Sequence, residues 1–288
     1  MISPLLAAIV EPLSYTFVLH GLLAGLLAAL ACATLSPFVV WRGMAFVGDA
    51  LAHAILPGIV VAFALGISLF FGALGAAVLA VAGIGLFSGG GRLKEDTAIG
   101  VIFAGFFALG IMLLSRMVSY QDLSHILFGN ILGVSTKDLA SMAVVVLIVI
   151  LTVALSFKEI VVTSFDPSHS VAIGLSPDLI RYGLLMLLAL TTVVAIQTVG
   201  VVLVLALLVT PGAAASMISR RMSRILFWSV LFSVAATVTG FYTSYYWDIP
   251  SGSAIVLTLT VIFLVTWTVS AAFRHRHARG PRSARGPR

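Results

Sequence analysis

Nine runs of about 20 apolar residues dominate this sequence, and their length restricts what the chain can fold into. A run of that length crosses the hydrocarbon core of a bilayer as one α-helix. The runs lack the apolar–polar alternation of a transmembrane β-strand, and only 9% of the residues are charged. The sequence therefore predicts an all-α, polytopic transmembrane helical bundle. The predicted spans lie near 15–40, 50–67, 69–87, 97–115, 139–157, 179–197, 199–218, 225–246 and 254–273.

The number of spans is eight or nine, because only "QTVG" at 197–200 separates the sixth from the seventh. Basic residues favour nine spans with the amino terminus outside, since cytoplasmic loops are rich in Lys and Arg. In that arrangement only Arg116 and Lys137, of 16 basic residues, fall outside. The domain prediction is a transmembrane domain over 1–273 and a basic, disordered cytoplasmic tail over 274–288.

The segment "GDALAHA" at 48–54 places a carboxylate and an imidazole beside long apolar runs. Asp49 and His53 are four residues apart and so share one helix face. Carboxylate oxygen and imidazole nitrogen suit Mn²⁺, Zn²⁺ or Fe²⁺ better than Cu⁺. Two side chains supply only half of a four-ligand shell, and a two-fold homodimer would supply the other half. The alternative is that Asp49 only caps its helix while His53 bonds to it, and the spacing leaves both interpretations open.

A short cytoplasmic segment, "FDPSHSVAIGLSP" at 165–177, carries helix start and stop signals. Asp166 is a suitable N-cap, Pro167 suits the first helical position, and Gly174 can close the helix. Such a helix is either a docking element for another protein or an ordinary interfacial helix. The sequence leaves both possibilities open.

Three other polar residues are candidates for the outer mouth of a pathway. Asp122 and His125 lie three residues apart in the outside segment 121–135, and Asp248 lies in the outer turn 245–252. For each of them a solvated surface pair or a turn-closing role is the simpler interpretation. Two Pro-Gly pairs, at 57–58 and 211–212, also interrupt apolar runs, as broken helices of transporters do.

Motifs for covalent chemistry are missing from the sequence. It contains no GxxxxGK[ST] loop for ATP, no HExxH and no GxSxG. We therefore expect a transport subunit that is not an enzyme, with no permanently bound cofactor and no nucleic-acid partner. Three alternatives stay open: a gradient-driven secondary transporter or channel, an intramembrane enzyme that uses Asp49 and His53, and a scaffold subunit.

Six blocks, taken in order, resemble the permeases of bacterial ATP-binding cassette importers for manganese, zinc or iron(II). The resemblance covers about residues 15–270. The blocks are "FVVWRGMAFVGDALAHAILPG" (38–58), "EDTAIGVIFAG" (95–105), "LFGNILGVS" (127–135), "FDPSHSVAIGLSP" (165–177), "VGVVLVLALLVTPGAAA" (199–215) and "YYWDIPSGSAIVL" (245–257).

The resemblance implies a fold similar to that of type II ABC importer permeases, in a bacterial cell membrane. It also implies two permease chains, two separate ATPase subunits and an extracellular metal-binding protein. The pathway ligands map onto Asp49 and His53. The ATPase-coupling helix maps onto Asp166, Pro167, Ser168, His169, Ala172, Gly174 and Leu175. Within the family, "EDTAIGVIFAG" (95–105) together with "LSHILFGNILGVS" (123–135) is more similar to the manganese branch than to the zinc branch.

Overall fold

The computed structural model describes residues 11–88, 93–116 and 131–278, and helices form most of this part of the chain. Nine stretches in it are long and apolar enough to span a membrane, in agreement with the nine predicted runs. The helices are α1 (Thr16–Trp41), α2 (Val47–Ala54), α3 (Leu56–Leu65), α4 (Leu69–Ser88), α5 (Glu95–Leu114), α6 (Thr136–Leu155), α7 (Phe157–Phe165), α8 (Pro167–Ala172), α9 (Pro177–Val199), α10 (Val201–Ile218), α11 (Met222–Trp247) and α12 (Ser251–Ala278).

Helix α1 lies at the centre of the bundle, where it packs against α6, α9, α10 and α11. Small side chains make this possible. In lipid no hydrophobic force drives helices together, so their association depends on close packing, and small residues let the helix backbones approach each other. The fully buried residues of α1 include Ala24, Ala28 and Ala33. A second group, formed by α2 to α5, packs beside α9.

Both Pro-Gly pairs lie at close helix contacts. In α10, Pro211 has no N–H to donate, so a break in the backbone hydrogen bonding is expected there. Ser36 of α1 fills it, since its Oγ accepts a bond from the Gly212 N–H at 2.9 Å and donates one to the Val209 carbonyl at 3.4 Å. A side chain of one helix thus satisfies backbone groups of another, as membrane helices require.

The second Pro-Gly pair divides the second predicted span into α2 and α3, which meet at Ile55. Gly58 of α3 crosses Gly72 of α4 so closely that a Cβ added to Gly58 would lie 2.0 Å from the Gly72 carbonyl oxygen. Only glycine fits this contact. The crossing therefore holds the helix that follows the Asp49 and His53 segment in place.

Most helix ends lie within three residues of the predicted spans, and two of the differences affect the predictions. Helix α2 begins at Val47, before the predicted start near residue 50. Helix α12 continues to Ala278, beyond the predicted boundary at 273, because Gly280 and Pro281 are the first strong helix breakers in the tail. The rest of the predicted disordered tail lies outside the described residues.

Candidate functional site: a carboxylate–imidazole pair inside the bundle

Helix α2 buries nearly all of its side chains and leaves two polar ones partly open. Ala50, Ala52 and Ala54 are between 0% and 6% exposed. Gly48 faces α10, where an added Cβ would meet Leu208 at 2.9 Å. The small residues of "GDALAHA" therefore let this turn pack tightly and direct Asp49 and His53 to the one open face.

The two polar side chains contact each other. His53 Nε2 lies 3.5 Å from Asp49 Oδ1, and the side chains are 32% and 43% exposed, respectively. This is the pairing expected for residues i and i+4 of one helix. An oxygen and a nitrogen donor thus stand together on an open face, and both can be presented to one ion.

The structure does not support the alternative in which Asp49 caps its helix. Phe46 occupies the N-cap position, and no side-chain hydrogen bond caps α2 there. Asp49 is the third residue of the helix, where a carboxylate interacts favourably with the helix dipole. The difference arises because α2 begins earlier than predicted. The Asp49 carboxylate consequently makes no N-cap hydrogen bond.

Two aromatic rings of α5 hold the imidazole, and sequence reasoning missed them. The His53 ring lies 5.0 Å from the Phe107 ring in an edge-to-face arrangement and 5.7 Å from Phe103. The two phenylalanine rings stack on each other at 5.8 Å. Their i, i+4 spacing in "FAGFF" could have suggested a shared face, but nothing in the sequence indicated that this face meets His53. The contact places the imidazole beside the middle of α5.

Within one chain the pair offers two donors of the kinds that bind first-row divalent metal ions. Among the described residues, no group of three or more His, Cys, Asp or Glu side chains could hold a metal ion. A first-row divalent ion that bound here would need further donors from water or from another chain.

The short helix at 167–172 has the capping that the sequence predicts. The Asp166 carboxylate accepts a hydrogen bond from the His169 N–H at 2.8 Å, and Pro167 is the first helical residue. Gly174 has a φ of +84°, and the Leu175 N–H bonds to the Ser170 carbonyl at 2.9 Å. These contacts make α8 a rigid one-and-a-half-turn element.

The surface of α8 is open. Ser168, His169 and Ala172 are exposed, and so are the apolar side chains of Val171 (62%) and Ile173 (54%). Because these residues lie between the fifth and sixth of the nine long apolar helices rather than within a span, lipid tails would not cover them. The capped helix therefore presents two apolar side chains on its surface, which another protein could cover.

The remaining candidates lie apart from the pair. Asp122 and His125 lie outside the described residues. Asp248 ends α11 in a left-handed conformation with a φ of +51°, and it borders a cavity of about 520 Å³ that also contacts Gly200 and Ser251. Within the described ranges, Asp248 belongs to no metal-holding group with Asp49 and His53.

The fold and the site together define a multi-pass membrane protein of the transport class, with a polar pair inside a helical bundle. The sequence matches the ABC 3 transport family over residues 14–270, and the chain belongs to that family. Its homologues are membrane permease subunits of ABC transporters, so the resemblance drawn from the sequence motifs is confirmed.

Relatives and solved structures extend along nearly the whole chain. The manganese transport system membrane protein MntB of Synechocystis is 41% identical over 89% of this chain and 84% of its own length. The chelated iron transport system membrane protein YfeD of Yersinia pestis is 41% identical over 91% and 88%. The structure of PsaBC from Streptococcus pneumoniae in complex with Fab matches with a TM-score of 0.80 at 35% identity, covering 91% of this chain and 95% of that chain.

Proposed function

We propose that this chain is the membrane-spanning subunit of an importer that moves a divalent transition metal into the cytoplasm. Manganese is the first choice, followed by zinc and iron(II). The observation that carries the proposal is the Asp49–His53 pair, two metal-type donors 3.5 Å apart on the one open face of a buried helix. The names of the relatives, which refer to manganese and chelated iron, support the choice of cargo.

Two copies of the chain complete the site. Across a two-fold axis, the partner contributes a second carboxylate and a second imidazole, and a four-donor N/O shell results. The partial exposure of both side chains supports this arrangement, because a second chain can reach them. The ion rests there in passing, with no permanent cofactor.

Separate ATPase subunits drive the movement from the cytoplasmic side, where α8 is their docking element. Its rigid capping and its exposed Val171 and Ile173 support this role. ATP-driven closure of the ATPase pair shifts α8 and changes which side of the membrane can reach the metal pair. The amino terminus is outside, and an extracellular metal-binding protein delivers the ion near Asp248.

Metal uptake tests the site directly. Cells expressing the permease with its ATPase and metal-binding protein are given low concentrations of ⁵⁴Mn²⁺. Asp49→Asn removes the negative charge of the carboxylate, and His53→Gln removes the imidazole nitrogen, each with little change in size. Uptake is therefore expected to fall ~10-fold or more, the loss typical of damaged metal sites. His20→Gln is the matched control, because His20 contacts the Val134 carbonyl at 3.2 Å, away from the pair. Wild-type uptake by both site variants at normal membrane levels would remove the assignment.

Reconstitution separates this proposal from gradient-driven transport. Liposomes that contain the permease alone should accumulate no Mn²⁺ under a proton or sodium gradient, whereas the complex with its ATPase should do so with ATP. Binding of one Mn²⁺ per two permease chains is the expected stoichiometry. Uptake by the permease alone would favour a secondary transporter, and one ion per chain would contradict the shared site.

A further inference from the structure

The C-terminal turn of α1 packs against α7 through one helix face. Phe38, Trp41 and Arg42 are spaced i, i+3 and i+4, so their side chains share that face. The Phe38 ring contacts the Phe157 ring edge-on at 6.3 Å, and the Trp41 ring lies 4.5 Å from the Phe165 ring. These contacts reach both the first and the last residue of α7.

Arg42 adds a polar contact to the last turn of α7. Its Nε donates to Ser164 Oγ at 3.0 Å, and its Nη2 donates to Thr163 Oγ1 at 3.1 Å. Both hydroxyls give their own protons to α7, since Ser164 Oγ donates to the Ile160 carbonyl at 2.6 Å and Thr163 Oγ1 to the Glu159 carbonyl at 2.8 Å. Their lone pairs are therefore turned toward the guanidinium, whose planar fork fixes direction as well as distance.

This contact joins the helix that leads into α8 to the helix that leads into the Asp49 and His53 segment. On one side, α7 ends at Phe165 and the next residue is Asp166, the N-cap of α8. On the other side, α1 ends at Trp41 with Arg42 as its C-cap, and the chain turns at Gly43 into the helix that carries Asp49.

Both connections are stiff. Gly43 has a φ of +70°, and the Met44 N–H bonds to the Val39 carbonyl at 2.9 Å, a Schellman turn whose Met44 side chain is buried. Across the α7–α8 junction, the Ser170 N–H bonds to the Asp166 carbonyl at 3.1 Å. A displacement of α8 is therefore not lost in a loose linker on either side of Arg42.

We propose that Arg42 is a positioning residue for transport: its two hydrogen bonds, to Thr163 and Ser164, transmit the movement of α8 to the Asp49–His53 pair. The inference rests on the proposed function, since it requires an ATPase that moves α8. The competing route runs through α9, which packs against α7, α8 and α2. If coupling runs through α9 alone, loss of the Arg42 fork leaves transport intact.

The test measures ATP hydrolysis and Mn²⁺ uptake in the same proteoliposomes, which contain the full complex with its metal-binding protein. Arg42→Met keeps an unbranched, flexible side chain and removes the guanidinium that makes both hydrogen bonds. The expected result is basal ATP hydrolysis within about twofold of wild type and about tenfold less Mn²⁺ transported per ATP, as two charge-assisted bonds are lost. Arg42→Lys, which keeps the charge without the fork, is expected to lie between the two.

A second variant removes the same contact from the other helix. Thr163→Val combined with Ser164→Ala should reproduce the fall in Mn²⁺ per ATP, and adding Arg42→Met should lower it no further. Arg224→Met is the control, because Arg224 is exposed at the start of α11. Its Mn²⁺ per ATP should equal that of wild type.

Each outcome decides the proposal. Wild-type Mn²⁺ per ATP in assembled Arg42→Met complexes, or in the double hydroxyl variant, overturns it in favour of the α9 route. An equal fall of ATP hydrolysis and uptake, with loss of the ATPase on purification, also overturns it, because the contact would then serve docking alone. If the wild-type complex itself shows no ATP-driven uptake, the proposed function fails, whatever Arg42 does.

Discussion

The crossing of α3 and α4 gives a sharp stability prediction. In Gly58→Ala, the new Cβ would lie 2.0 Å from the Gly72 carbonyl oxygen and 2.7 Å from the Ala76 Cβ. Real Cβ atoms do not approach other heavy atoms closer than 3.0 Å, so the backbones must separate locally by about 1 Å. The obstacle is backbone on a neighbouring helix, and it cannot rotate away as a side chain can. Overpacking of this kind costs ~1–3 kcal/mol.

The matched control lies in the same helix pair. A Cβ added to Gly75 of α4 meets nothing within 4 Å. Gly75→Ala therefore tests the intrinsic effect of replacing a helical glycine, which favours the helix by ~1 kcal/mol in water. The two variants differ in the clash and in little else.

The assay is the apparent melting temperature of the purified protein in detergent, which is monitored by size-exclusion chromatography of heated samples. At ~2–4 °C per kcal/mol for a chain of this size, Gly58→Ala should melt ~2–12 °C below Gly75→Ala, which itself should melt at or above wild type. Because α3 continues directly from α2, metal uptake by Gly58→Ala should fall as well. Equal melting temperatures for the two variants would refute the argument from the close contact.

Three further predictions concern single contacts. Ser36→Ala removes the hydroxyl that accepts the Gly212 N–H beside Pro211 and should destabilise the fold by ~1–3 kcal/mol. The measurement is a lower melting temperature. An unchanged melting temperature would mean that the backbone at Pro211 does not need the Ser36 hydroxyl. Asp166→Ala removes the N-cap of α8, which is worth ~0.5–2 kcal/mol, and should reduce co-purification of the ATPase. The control Ser168→Ala, in the same exposed helix, should retain more of the ATPase. Equal retention by the two variants would contradict a role for the cap. Phe107→Leu removes the edge-to-face ring contact with the His53 imidazole and should weaken Mn²⁺ binding by ~10-fold at normal protein levels. Equilibrium dialysis measures this binding. Unchanged binding would show that the Phe107 ring does not orient the imidazole.

Local features of the fold could be predicted from the sequence because they depend on neighbours in the chain. The nine spans follow from run length, and the ends of α8 follow from Asp166, Pro167 and Gly174. The proximity of Asp49 and His53 follows from a four-residue spacing on a helix. Their shared role as metal ligands remains a prediction.

Other features depended on which helices become neighbours, and run length cannot give that. The start of α2 at Val47, which leaves Asp49 uncommitted to capping, depends on the turn after Gly43 and on the packing of Gly48 against α10. The phenylalanine pair under the imidazole belongs to α5, about 50 residues away in sequence.

The sequence by itself determined that this chain crosses a membrane about nine times, that a carboxylate and an imidazole share one helix turn, and that a capped helix lies between two spans. Each of these needs only hydrophobic run length or contacts within one helical turn. The tertiary structure alone decided that the open face of α2 presents the pair, and that Arg42 joins its segment to α7. Such contacts between helices are set by side-chain fit across the bundle, which no periodicity along the chain records.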